Sequence, residues 1–153
     1  MKLDLRDNRL TSLPDEIERL ADLTTLYLHN NQLTVLPAEI GRLTNLTKLD
    51  FSSNQLTSIP NEIIRLTNLT ELRLANNRLK SLPSEIGRLT NLTKLNLSFN
   101  QLTSLPNEIG RLTNLTELSL GNLWGKNLMS NIEKAKIIQL LPKCKIEIGR
   151  AHV

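Results

Sequence analysis

Residues 23–33 read LTTLYLHNNQL, and their spacing of leucines is the clearest indication of the fold. Leu26 and Leu28 stand two positions apart, so in an extended strand both side chains point to one face while Tyr27 points to the other. After Asn31 the apolar residues follow at gaps of three or four, which is the period of a helix or a turn. The stretch therefore predicts a short strand followed by a return path whose apolar side chains face the same interior.

The same pattern recurs along the chain at a constant step of 23 residues. The composition agrees with this repetition, since 34 leucines and 17 asparagines make up a third of the 153 residues while only four are aromatic. One copy cannot bury its own apolar stripe, so the copies must stack and share a core. The asparagines that mark the five copies are Asn8, Asn31, Asn54, Asn77 and Asn100.

The pattern Leu-x-x-Leu-x-Leu-x-x-Asn-x-Leu resembles the signature of the leucine-rich repeat family. The resemblance covers residues 1–120. The outer segments, of the form L-P-x-E-I-x-R-L, are similar to the 23-residue repeats of bacterial proteins and to Ras-pathway scaffolds. The resemblance implies an α/β solenoid with a concave parallel β-sheet and a convex side of turns, 3-10 and helical segments. It also implies that the chain binds other proteins on the concave face.

The repeated asparagine stands where each strand ends and the chain bends inward. Its amide has two donors and two acceptor lone pairs, enough to satisfy peptide groups that the strand leaves unpaired. We therefore expect the five asparagines to form a buried structural ladder and not a binding site. On the outer segments a glutamate precedes an arginine by three residues in every copy, as at Glu16 and Arg19, a spacing that allows ion pairs on a solvated surface.

The chain divides into three predicted segments. Residues 1–120 form the repeat array, with about five repeats and the strand of a sixth. Residues 121–147 form a carboxy-terminal cap with a helix opened by the capping box Ser130-x-x-Glu133 and a short strand after Pro142. Residues 148–153 resemble a translated sequencing adapter. The apolar side of the cap helix is predicted to consist of Ile132, Ala135, Ile137, Ile138, Leu140 and Leu141.

Further expectations concern the two ends of the chain. No polar cap shields the first repeat, so residues are expected before Met1 in the native protein. Trp124 has two interpretations, a plug over the end of the core or a contact point for a partner. Cys144 is interpreted as a small buried residue of the cap, and as a single cysteine it excludes an internal disulfide and any cluster of cysteine metal ligands.

No catalytic or cofactor-binding pattern is present in the sequence. His29 and His152 share no metal-ligand spacing with other residues, and neither phosphate-binding glycine motif occurs. Ser52, His29 and Asp50 could be grouped on exposed strand positions, but on an open, solvated face with no oxyanion pocket in prospect. We therefore expect no enzyme, no cofactor and no bound metal.

The net charge of +4 does not indicate nucleic-acid binding. Residues 1–120 carry 13 basic and 13 acidic residues, so the whole charge belongs to residues 121–153. Neighbouring outward strand positions alternate in the sign of their charge, and no series of aromatic residues is interspersed among the lysines and arginines. This pattern disfavours phosphate recognition. No apolar run approaches the ~18 residues of a membrane span. The lack of a signal peptide favours the cytoplasm, although the expected residues before Met1 leave the compartment open.

The sequence thus predicts a monomeric, non-catalytic module that binds an unidentified protein. Two alternatives stay open: a truncated structural fragment of a longer repeat protein, or the repeat segment of a multidomain enzyme or GTPase. Aromatic residues are enriched at binding hot spots, although Tyr27 and Phe99 could equally be variations of no consequence. The predicted protein-binding residues, on adjacent strands of the concave face, are Tyr27, His29, Asp50, Arg73, Asn96 and Phe99.

Overall fold

A computed structural model describes residues 1–121 and 129–148 of the chain. Its main feature is one open, parallel sheet in which seven strands follow one another in sequence order. This arrangement confirms the predicted leucine-rich repeat solenoid. The strands are β1 (Lys2–Asp4), β2 (Thr25–Tyr27), β3 (Lys48–Asp50), β4 (Glu71–Arg73), β5 (Lys94–Asn96), β6 (Glu117–Ser119) and β7 (Lys145–Glu147).

The register of the sheet follows the sequence repeat. Each residue of β1 to β5 lies beside the residue 23 positions later, so Leu26 pairs with Leu49 and Leu49 with Leu72. These central leucines are at most 1% exposed. The first and third residues of each strand point the other way, because side chains alternate along a strand. The outward side of the sheet is therefore a surface of first and third strand residues, which we call the concave face.

A 3-10 helix returns the chain on the opposite, convex side of each repeat. A proline with φ between −63° and −72° precedes each of them, and in the first the Ile17 amide donates to the Pro14 carbonyl at 3.1 Å. Proline suits this position because its fixed φ is compatible with a helical first turn. The five 3-10 helices are Asp15–Arg19, Ala38–Arg42, Asn61–Arg65, Ser84–Arg88 and Asn107–Arg111.

The predicted glutamate–arginine pairs within these segments are absent from the five described repeats. Arg42 instead contacts Glu18 of the preceding repeat, with Nη1 and Oε2 3.4 Å apart. Residues three apart share one side of a 3-10 helix but stand about 6 Å apart along its axis, since it rises about 2 Å per residue. The predicted pairing within one segment was wrong, and the ion pair that Arg42 makes joins two neighbouring repeats.

Two glycines let neighbouring 3-10 helices approach closely. A Cβ atom on Gly41 would lie 2.5 Å from the carbonyl oxygen of Glu62, and one on Gly87 would lie 2.6 Å from that of Glu108. Ile64 takes the corresponding position in the repeat between them, where its side chain is half-buried against the core. The convex side is therefore not uniform, because Gly41 and Gly87 lie closer to the backbone of the next repeat than a residue with a Cβ atom could.

The cap consists of a helix, α1 (Asn131–Leu140), and strand β7, which pairs in parallel with β6. The Ser130 hydroxyl accepts from the Glu133 amide at 3.1 Å, as a capping box requires. The Glu133 carboxylate, however, accepts from the Leu105 amide of the last repeat at 3.0 Å and contacts Lys136 at 2.9 Å. The predicted reciprocal bond back to Ser130 is thus replaced by a link between the cap and the array.

The buried side of α1 is narrower than predicted. Ile137 and Leu141 are buried, but Ile132 is 84% exposed and Ile138 is 53% exposed. Residues four apart lie on one side of a helix, so Glu133, Ile137 and Leu141 face the array together. Ile132 and Ile138 lie well away from that line and were wrongly placed among the core residues.

Trp124 and His152 lie outside the described residues, as does most of the predicted adapter segment, 149–153. Among the described helices, none has the length and apolarity needed to cross a membrane.

Candidate functional site

The concave face contains a depression of about 280 Å³ across the first four strands. It brings together four of the six predicted site residues, Tyr27, His29, Asp50 and Arg73. These residues come from three consecutive repeats, and the parallel register places them side by side. The complete lining is Arg6, Tyr27, His29, Lys48, Leu49, Asp50, Glu71 and Arg73.

The depression is lined by a histidine and an aspartate that lie close together, and one nitrogen of the histidine lacks a hydrogen-bond partner within the described chain. His29 Nδ1 lies 3.5 Å from Asp50 Oδ2, and within the described chain this buried nitrogen makes no hydrogen bond. Asp50 Oδ1 accepts from the backbone amide of Ser52 at 2.9 Å. Ser52 therefore contacts Asp50 through its main chain, and this hydrogen bond orients the carboxylate.

Aromatic and cationic groups form one wall. The Tyr27 and His29 rings meet edge to face with centroids 5.8 Å apart, a favourable geometry for aromatic pairs. The Lys2 ammonium lies 4.8 Å from the Tyr27 ring centroid, within the range of a cation–π contact. One side of the tyrosine ring is thereby held in place, which reduces the entropy it would lose on binding a partner.

Two exposed arginines of the lining each pair with an acidic residue of their own repeat. Arg6 Nε lies 3.2 Å from Asp4 Oδ2, and Arg73 Nη2 lies 3.7 Å from Glu71 Oε2. More than half of each arginine side chain is exposed. Exposed pairs of this kind contribute little to stability, so both guanidinium groups can exchange their present partner for one on another molecule.

A second, smaller depression of about 180 Å³ lies beside the first and shares Arg73 with it. Asn96 lines this second depression, together with Lys94, Leu95, Glu117 and Ser119. Its Oδ1 accepts from the Ser98 amide at 3.0 Å, the same kind of contact that Asp50 makes with Ser52. Five of the six predicted residues thus lie in two adjoining depressions that Arg73 joins.

Phe99 lies outside both depressions. It follows β5 by three residues and has a φ of 59°, the left-handed conformation that bulky side chains rarely adopt. The corresponding positions in the other repeats hold Asp7, Asn30, Ser53 and Asn76. The expectation that Phe99 lies on a strand was therefore wrong, and its ring, 38% exposed, stands at the rim of the sheet.

His29 also lies beyond its strand, but only by two residues. Its carbonyl oxygen still accepts a hydrogen bond from the Asp7 amide at 3.0 Å. Parallel pairing between the first two repeats therefore continues past the end of β2 as far as His29.

The repeated asparagines occupy the inner side of the bend after each strand. Asn54 Oδ1 accepts from the Leu33 amide at 3.0 Å, while its Nδ2 donates to the carbonyls of Leu28 and Phe51. Asn31, Asn54 and Asn77 are buried and Asn100 is half-buried. Asn8 is exposed, contrary to expectation, because the described chain has no repeat before it to bond.

A second set of asparagines, which was not predicted, lies at the opposite end of the strands. Each donates its Nδ2 to a carbonyl 24 residues earlier, as Asn68 does to Thr44 at 2.8 Å. The signal was visible, since Asn-Leu-Thr recurs at the 23-residue step. The members are Asn45, Asn68, Asn91 and Asn114.

The lining residues Arg6, Lys48 and Glu71 were also omitted from the predicted site. Each stands at an outward strand position or just beyond a strand, so the alternation of side chains could have identified them. The depression itself could not be foreseen, because it depends on how side chains of different repeats are oriented.

Metal chemistry has no support in the described part of the chain, where no three histidine, cysteine or acidic residues cluster. Cys144 is half-buried before β7. Burial, and after it the carboxylate of Glu117, raises the pKa of the Cys144 thiol. A thiol of raised pKa is a weaker nucleophile and metal ligand at neutral pH.

A family model described as leucine rich repeat matches residues 1–56, 21–79 and 67–122. No curated protein matches the chain. Among solved structures, a leucine-rich repeat protein of Leptospira interrogans is 44% identical, with a TM-score of 0.91 over 96% of this chain and 36% of that one. An internalin of Listeria monocytogenes is 27% identical, with a TM-score of 0.75 over 95% of this chain and 39% of its own. The chain spans less than two-fifths of the length of either protein.

Proposed function

Because the chain belongs to the leucine-rich repeat family, we propose that its concave face binds a protein partner and that the chain acts as a non-catalytic interaction module. The centre of the binding surface is the depression lined by Tyr27, His29, Asp50 and Arg73. Asn96 extends the surface into the second depression, and Phe99 provides an apolar contact at the rim.

The single observation that carries this proposal is the convergence of these four side chains in one depression. Tyrosine and arginine are the residue types most enriched at binding hot spots, together with tryptophan. Here both lie on rigid strands, and Arg73 is 52% exposed in the side chain. A partner that covers the depression would exclude water from Asp50 and His29 and so strengthen any hydrogen bond made to them.

The size and lining favour a protein over a small ligand. Small-molecule pockets usually enclose about 300–1,000 Å³ and are mostly apolar. The larger depression here has about 280 Å³ and charged walls, and a second depression continues the surface beside it. Such a surface suits a partner whose side chains enter two neighbouring depressions at once.

Chemical cross-linking and mass spectrometry with the purified chain would identify bound proteins, and titration calorimetry would then measure their affinity. We expect Tyr27→Ala or Arg73→Ala to weaken binding at least tenfold, since truncation of a hot-spot side chain removes at least about 2 kcal/mol. Arg88→Ala is the matched control, because Arg88 is an exposed arginine on a convex 3-10 helix.

A partner whose affinity is unchanged by both concave variants but falls with Arg88→Ala would contradict the proposal. Far-UV circular dichroism of each variant separates loss of binding from loss of folding.

A further inference from the structure

The first residues of five consecutive strands alternate in charge. The registers place Lys48 beside Glu71, Glu71 beside Lys94, and Lys94 beside Glu117. Lys145 of the cap continues the alternation beside Glu117. We call these residues the charge row: Lys48, Glu71, Lys94, Glu117 and Lys145.

Members of the row do not neutralise one another. Within residues 1–121 and 129–148 no ion pair joins neighbouring members, although neighbouring strands lie only about 4.8 Å apart. Glu71 contacts Arg73 of its own strand at 3.7 Å and Lys145 contacts Glu147 at 3.4 Å. Lys48, Lys94 and Glu117 have no ion pair in the described chain and are exposed on the concave face.

The order of charges makes the row complementary to itself. A twofold axis parallel to the strands and midway between β4 and β5 would bring the concave faces of two copies together. Because this rotation reverses the order of the strands, β3 of one copy stands opposite β6 of the other, and β4 stands opposite β5. Lys48 then stands opposite Glu117 of the second copy, and Glu71 opposite Lys94 of the second copy. Each contact occurs twice, as a closed twofold interface requires.

The third strand positions are compatible with the same arrangement. Asp50 stands opposite Ser119 of the second copy, and Arg73 opposite Asn96 of the second copy. Between β3 and β6, like charges stand opposite each other neither at the first nor at the third strand positions. A partner chosen at random would seldom avoid such clashes, which oppose association strongly.

We propose that the concave face binds a second copy of this chain through the charge row. This inference rests on the proposed function, because it names a partner for the same face, and it departs from the monomer expected from the sequence. Exposed ion pairs are individually weak and screened by salt. The dimer is therefore reversible and dissociates as ionic strength rises.

Sedimentation equilibrium at low and high salt tests the proposal. We expect the wild-type chain to form a dimer at low salt whose dissociation constant rises at least tenfold at high salt. Lys48→Glu places two acidic residues opposite each other at two points of the interface, and Glu117→Lys does the same with two basic residues. Each variant alone should be monomeric. An equal mixture should form a heterodimer, because the two substituted positions then face each other with opposite charges.

Two variants with the same charge changes elsewhere serve as controls. Lys80→Glu and Glu16→Lys alter exposed residues outside the strands and should leave the dimer intact. A dimer insensitive to Lys48→Glu and Glu117→Lys, or a mixture of the two variants that stays monomeric, would overturn the inference.

The wild-type chain could also be monomeric at every concentration while another protein binds through Tyr27 and Arg73. The second copy would then be excluded and the proposed function would stand. If neither a second copy nor another protein used this face, both proposals would fail.

Discussion

Asn54 and Leu33, 21 residues apart, are joined by a hydrogen bond of 3.0 Å between the asparagine side-chain oxygen and the leucine amide. Both residues are buried, and the bond crosses from one repeat to the one before it. The same bond joins Asn31 to Leu10, Asn77 to Leu56 and Asn100 to Leu79. Stacking of the repeats therefore depends on polar contacts as well as on the leucine core.

Replacing Asn54 by alanine should destabilise the fold by about 3 kcal/mol, since a buried group left without its partner costs about 1–3 kcal/mol. The variant leaves the Leu33 amide without its acceptor. It also removes one of the two asparagine donors at the carbonyls of Leu28 and Phe51, which keep their bonds to Asn31 and Asn77. Urea unfolding followed by circular dichroism measures the loss. Asn8→Ala is the matched control and should cost far less, because Asn8 is exposed and bonds only Leu5 and Arg6. Equal losses for the two variants would contradict the structural role.

Gly41→Ala should destabilise the convex side by about 1–3 kcal/mol, the usual cost of overpacking. The new Cβ would lie 2.5 Å from the Glu62 carbonyl oxygen, a backbone atom that cannot move alone. Gly110→Ala should be milder, because its nearest neighbour is the end of the Leu140 side chain at 3.3 Å. Thermal unfolding of both variants makes the comparison, and a larger loss at Gly110 would refute it.

Docking of the cap should depend on pH through Glu133. Burial alone would raise the pKa of this carboxyl, but the hydrogen bond from the Leu105 amide and the neighbouring Lys136 ammonium outweigh burial and lower the pKa. A lowered pKa stabilises the folded state above the ordinary value of 4.5, and this contribution disappears as the pH falls from there through the folded-state pKa.

Glu133→Gln tests this link because glutamine keeps the acceptor but cannot ionise. Hydrogen exchange of α1 amides should show a less protected helix than wild type at neutral pH, and the difference should shrink as the pH falls below 4.5. A difference that stays constant with pH would show that the carboxylate charge has no part in docking.

Phe99→Asn should stabilise the chain by about 1 kcal/mol, since the left-handed conformation costs an ordinary residue roughly 1–2 kcal/mol and asparagine tolerates it. Asn30 and Asn76 occupy the same position with φ of 59° and 57°. If the proposed function is right, the same variant should also bind the protein partner more weakly, because it loses the apolar contact of Phe99. Chemical denaturation and calorimetry give the two values.

The reciprocal change, Asn76→Phe, should destabilise the chain by a similar amount. It introduces the strain of a bulky residue and removes the 3.2 Å hydrogen bond from Asn76 Nδ2 to the Ser53 hydroxyl. If Phe99→Asn were destabilising, the phenylalanine would be making compensating contacts in the folded state.

Most of the fold was predictable because the spacing of apolar residues within each repeat defines both its strand and its return path. Leu26 and Leu28 define the buried side of β2 by their spacing, and the later gaps of three and four define the return path. Some failures occurred within the repeats, as at Phe99, and others where the repeat stops. Ile132 and Ile138 looked like core residues because apolar periodicity alone does not say which side of α1 meets the array.

The 23-residue step by itself determined the parallel sheet, its register, the leucine core and the sites of the asparagines, because each depends on spacing along the chain and on stacking of equal units. Only the tertiary structure decided that His29 faces Asp50, that Glu133 bonds Leu105, and that Phe99 occupies a left-handed bend. These contacts join residues of different repeats, or follow from main-chain angles that adjacent repeats impose. They depend on side-chain orientation across the sheet, which spacing along one chain does not specify.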